Sequence, residues 1–107
     1  GDYVVPIQGC ASGRAAKWLT VTWTQTTPPG TRVEVYVRSG DDLLTLDQQP
    51  LFGPWTMSPA DLQQPPGPVP DGKYLLLTLR LISDDRESTP IVHSYNVQWS
   101  CDDPPPM

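Results

Sequence analysis

The sequence predicts an all-β protein: a two-sheet antiparallel β-sandwich folded as a single domain. Three observations predict it. Leu75, Leu77, Leu79 and Leu81 share one parity while Thr78 and Arg80 fall on the other, so this strand has one buried and one wetter face. Trp18–Thr24 and Thr31–Arg38 alternate in the same way. No segment sustains the 3.6-residue apolar period of a packed helix. With 107 residues there is room for a core of modest size.

Tyr3-Val4-Val5-Pro6-Ile7 reads as a short edge strand, because Pro6 cannot donate to a central ladder. In the next strand Leu19, Val21 and Trp23 face inward, which puts Trp18 outward. Pro28-Pro29-Gly30 then makes a turn wider than the tightest hairpin. Val33, Val35 and Val37 point inward from the third strand, with Arg32, Glu34, Tyr36 and Arg38 outward. Residues 41–71 are less regular. Asp42–Leu46 and Leu51-Phe52 read as short strands, and Ser58-Pro59-Ala60-Asp61-Leu62 as a helical turn with Ser at the N-cap and Pro at the first position. Asp71-Gly72 launches the leucine-rich strand. The charged loop Asp84–Pro90 leads into the last strand, Ile91–Trp99, where His93, Tyr95, Val97 and Trp99 share the apolar parity.

Of fourteen prolines most cluster in the loops and at Pro104-Pro105-Pro106, so the domain spans residues 1–101 and residues 102–107 form a Pro-rich tail. Seven basic and twelve acidic residues give a net charge of −5. That sign repels nucleic-acid phosphates and anionic head groups, so neither nucleic acid nor membrane insertion is expected. No apolar run reaches the roughly 18 residues of a spanning helix. The chain begins at Gly1 with no signal-peptide pattern, as a mature secreted product or a trimmed chain would. Cys10 and Cys101 flank strand ends and are expected to pair if the end strands are neighbours in one sheet, which implies an oxidising compartment.

Trp18–Trp23, the Pro29-Gly30-Thr31 turn, Val33–Gly40 and the run from Gly72 to Trp99 resemble jelly-roll and galactose-binding-like β-sandwich modules of bacterial secreted or surface proteins and phage virion proteins. The resemblance implies a jelly-roll sandwich at the cell surface, outside the cell or in a virion, while the strand pattern itself also fits a fibronectin/immunoglobulin-like sandwich. It carries over no catalytic residue.

Chemistry-bearing residues are sparse. His93 is the single histidine and is expected in the core or at its rim; no serine sits in a nucleophile-elbow context. An enzyme is therefore not expected, and a small hydrolase is the remotest of three readings. Asp41-Asp42, Asp84-Asp85 and Asp102-Asp103 read as solvated turn residues, with Asp84 and Asp85 the better calcium candidates. No cofactor is expected. The foremost reading is a non-catalytic module for attachment or assembly, its partner another protein or a second copy. The alternative is carbohydrate binding, with Trp18 and Trp55 presenting indole faces and Asn96 and Gln98 bonding hydroxyls from the neutral outer face.

Overall fold

In the computed structural model, which describes residues 2–11, 14–84 and 88–101, seven strands form two antiparallel sheets packed face to face. The strands are β1 (Asp2–Gln8), β2 (Lys17–Thr26), β3 (Thr31–Gly40), β4 (Phe52–Trp55), β5 (Ala60–Asp61), β6 (Tyr74–Ser83) and β7 (Ile91–Ser100). One sheet has the order β1-β6-β3-β4 and the other β5-β2-β7. The all-β sandwich expected from the alternating pattern is therefore what forms. The tail, residues 102–107, lies outside the described residues.

The core is the inward parity of the long strands. Val33, Val35 and Val37 from β3 and Leu75, Leu77 and Leu79 from β6 are all at most 1% exposed. Burying each such side chain is worth about 1.5–3 kcal/mol relative to leaving it in water. The two strands pair in an unbroken register from Thr31↔Ser83 to Gly40↔Tyr74, so their inward valines and leucines lie side by side. Trp18, Val21 and Trp23 of β2 close the core from the opposite sheet.

Consecutive strands are mostly not neighbours. β2 and β3 lie in different sheets, and so do β6 and β7. Ile91–Ser100 is thus not the hydrogen-bonded companion of the leucine strand but faces it across the core and pairs with β2. The period of 2 reports which side chains are buried; it carries no information on which strand lies alongside. The turn after β2 shows how the chain changes sheet. Thr31 N–H bonds to the Pro28 carbonyl at 3.0 Å, and Gly30 has φ of 81°. Pro at the second position and Gly in the left-handed region at the third are the requirements of a type II turn.

Two irregularities in the β2–β7 ladder decide which side chains face out. Trp18 pairs with Trp99 and Thr20 with Gln98, so Leu19 is an extra residue on β2. Such a bulge shifts the parity of everything on one side of it. Trp18 is consequently buried together with Val21, and Leu19 is displaced to the partly exposed side. The bulge is held from the neighbouring segment: Leu62 N–H bonds to the Leu19 carbonyl at 2.8 Å, and Gln63 Nε2 to that of Trp18 at 2.7 Å. On β7 the partners step from Ser94 to Val92, leaving His93 as the extra residue.

Residues 41–71 depart furthest from expectation. Leu43–Gln48 form a 3₁₀ helix rather than a strand, because Asp42 caps it by accepting from Leu44 N–H at 2.9 Å. Ser58–Leu62 form no helical turn. Ala60 and Asp61 pair with Val21 and Thr20 as β5, and Ser58 Oγ accepts from Trp23 N–H at 3.0 Å. Those partners on β2 supply the backbone bonds that a helical turn would otherwise make internally.

Candidate functional site: the open side of the sandwich

The first and last strands end on the same side of the molecule, one in each sheet. Cys10 follows β1 and Cys101 follows β7, and the two form a disulfide. The expected pairing is therefore present, but it links two sheets rather than neighbours in one. The Trp18 and Trp99 rings pack edge to face, with centroids 5.7 Å apart and planes at 66°. Trp18 Nε1–H donates to Ser39 Oγ at 3.0 Å across the sandwich. Gly72 makes this possible, since a Cβ there would lie 2.3 Å from that hydroxyl oxygen.

β1 and β7 both run toward the disulfide, so their starting ends define the opposite end of this side. There the sheets are not closed. A cleft of about 510 Å³ is lined by Tyr3, by Leu79 and Leu81 of β6, and by Val92 and Tyr95 of β7. Tyr3 is 59% exposed, Ile91 51% and Tyr95 40%. Tyr95 has the inward parity expected of it, yet no strand beyond β7 covers it among the described residues. The sandwich is thus pinned at one end of this side and gapes at the other.

The two outer faces differ in electrostatics. On the β1-β6-β3 face, Arg80 bonds Asp2 at 3.1 Å and lies 5.1 Å above the Tyr36 ring, while Arg32 bonds Glu34 at 3.2 Å. Tyr36 O–H donates to Glu34 at 2.9 Å. That hydrogen bond, helped by Arg32 and Arg80 and opposed by burial, holds the Glu34 carboxyl below its ordinary value of 4.5. The same bond, with burial, holds the Tyr36 hydroxyl above 10.0. Stability from the lowered carboxyl is present above pH 4.5 and fades as pH falls through its folded value. That from the raised phenol is present below pH 10.0 and fades as pH rises through its own.

The β2–β7 face carries a neutral ladder instead. Thr20 Oγ1–H donates to Gln98 Oε1 at 2.9 Å, Thr24 and Ser94 hydroxyls meet at 2.8 Å, and Thr26 Oγ1 meets His93 Nε2 at 2.7 Å. Thr22 stands opposite Asn96.

The four residues expected to bind a sugar are not brought together. Trp18 is fully buried and Trp55 is 8% exposed, so neither indole offers a stacking face. Asn96 and Gln98 do lie on the exposed outer face. Trp55 Nε1 is buried without a hydrogen-bond partner among the described residues. His93, expected in or beside the core, is exposed at the rim on the bulge. Its recorded partner is Thr26, and no carboxylate pairs with it among the described residues. Ser94, its neighbour, is engaged by Thr24. Of the calcium candidates, Asp85 lies outside the described residues, and the Asp84 carboxylate stands 3.6 Å from Arg32. Asp41 and Asp42 accept backbone N–H groups of Lys73 and Leu44. Among the described residues no three groups converge as metal ligands.

Sequence reasoning placed Tyr95 on the apolar face but missed the cleft and Tyr3. The available signal was that Ile91–Ser100 contains no charge and no proline, which is unusual for a strand on the edge of a sheet.

No protein-family model, curated protein or solved structure matches this chain. No helix among the described residues is long and apolar enough to cross a membrane.

Proposed function

We propose that the protein is a non-catalytic attachment or assembly module that works outside the cytoplasm, as a secreted, surface or virion component, and that it engages another protein through its open side. The observation that carries this reading is the cleft between β1 and β7, where Tyr3 and Tyr95 stay exposed around apolar β6 side chains. A contiguous apolar opening rimmed by neutral polar groups is what protein partners cover. The disulfide supports an oxidising compartment. The jelly-roll resemblance remains part of this proposal.

A photo-crosslinking side chain at position 95, compared with one at position 22 on the outer ladder, tests it. In the protein's native extracellular setting, adducts to a single protein species are expected from position 95 and not from position 22. Adducts only from position 22, or binding to a glycan array that Asn96→Ala abolishes, would move the site to the ladder and support carbohydrate binding instead.

A further inference from the structure

A two-sheet sandwich has four edges, and three of these are blunted. β1 carries Pro6 and the ion-paired Asp2. β4 is four residues long and contains Pro54, and β5 is two residues long. Proline, charge and brevity are the devices that stop a sheet edge from recruiting another strand. β7 has none of them. It is ten residues long, Ile-Val-His-Ser-Tyr-Asn-Val-Gln-Trp-Ser, without charge or proline, and pairs on one side only among the described residues. Its one irregularity, the bulge at His93, leaves residues 94–100 regular.

Resting on the attachment reading, we propose that the occupant of this edge is β7 of a second copy of the chain. The two strands pair antiparallel about a two-fold axis at Val97. Opposed residues in an antiparallel pair point to the same face, so this register can be checked side chain by side chain. On the inner face Val97 meets Val97 of the second copy, and Tyr95 meets its Trp99. On the outer face Asn96 meets Gln98, and Ser94 meets Ser100. Every pair matches like with like: apolar or aromatic on the core side, neutral and hydrogen-bonding on the ladder side. Each protomer carries a net charge of −5, and β7 is a surface on which two such chains meet without opposing charges. The pairing joins both β5-β2-β7 sheets into one and makes the Thr/Ser/Asn/Gln ladder continuous across the two copies. It uses one patch twice, as a two-fold dimer must.

Sedimentation equilibrium on the full chain over a wide concentration range tests this. A monomer–dimer equilibrium is expected. Asn96→Lys with Gln98→Lys sets lysines opposite one another in both copies of each pair. Dimerisation should then weaken by at least about tenfold, since like charges placed directly opposite are destabilising. Asn96→Lys with Gln98→Glu sets Lys opposite Glu and should restore it. Thr22→Lys, on the same outer face but on β2, should leave the equilibrium unchanged. Near-ultraviolet circular dichroism establishes that each variant is folded.

A wild-type chain that stays monomeric throughout overturns the proposal, as does a dimer indifferent to both double variants or a Lys/Glu pair that fails to restore association. If the chain is monomeric while position 95 still crosslinks to a different protein, self-pairing falls and attachment through the open side stands. If neither occurs, both fall.

Discussion

Replacing Cys10 and Cys101 together by Ser is expected to remove about 4–5 kcal/mol of stability. The bridge joins residues 91 apart in sequence, so its removal restores nearly the whole chain's freedom to the unfolded state. Domains of this size have total stabilities of about 5–15 kcal/mol, so the double variant loses between about a third and nearly all of the fold's stability. The consequence is also local. The disulfide is the covalent tie between the ends of β1 and β7, which belong to different sheets, on the side where the sheets already gape. Urea denaturation of the oxidised wild type and the double variant checks this. A midpoint lowered by about a third or more of the wild-type value is expected, and near-coincident transitions would show that packing alone closes that end.

Trp18→Ala should cost about 3–5 kcal/mol, as for a fully buried large side chain leaving a cavity. Its indole is wedged between the sheets, in an edge-to-face pair with Trp99 and donating to the buried Ser39 hydroxyl. Trp18→Phe keeps much of the volume but orphans that hydroxyl, adding a penalty of about 1–3 kcal/mol that Ser39→Ala in the same chain should largely relieve. Were Trp18 outward, as simple alternation from Val21 requires, its loss would change stability by no more than about 0.5 kcal/mol. Denaturation midpoints of the two single variants and the Trp18→Phe/Ser39→Ala pair separate these cases.

The contrast between Trp18 and Val35 shows what was legible in the sequence and what was not. β3 and β6 alternate without interruption and pair without a bulge, so their buried set is read directly from their parity. β2 and β7 each hold one extra residue, Leu19 and His93, and beyond each the parity inverts. Nothing in the residue types marks those insertions, because the groups that hold the Leu19 bulge, the Leu62 backbone N–H and the Gln63 side-chain amide, are distant in sequence. For that reason Trp18 is buried where simple alternation from Val21 puts it outward, and of the two places open to His93, core or rim, the bulge selects the rim. Sheet membership was hidden for a related one: the Pro28–Thr31 turn is as compatible with a hairpin as with a crossing between sheets. The open side was therefore invisible until β1 and β7 were seen to border it. What could be read was their chemistry, Pro6 in one and the absence of charge in the other.

Among the described residues β7 is paired on one side only, which is what self-pairing requires and what leaves the β1–β7 cleft open, and amide hydrogen exchange in dilute protein measures it most directly. Along Ser94–Trp99 every other amide should exchange rapidly, those that do not bond to β2, while the amides of Leu75–Leu79 in β6, flanked by β1 and β3, stay protected. Uniform protection of all β7 amides at the level of β6, in protein too dilute to associate, would show that the edge is already covered and would contradict the open side itself.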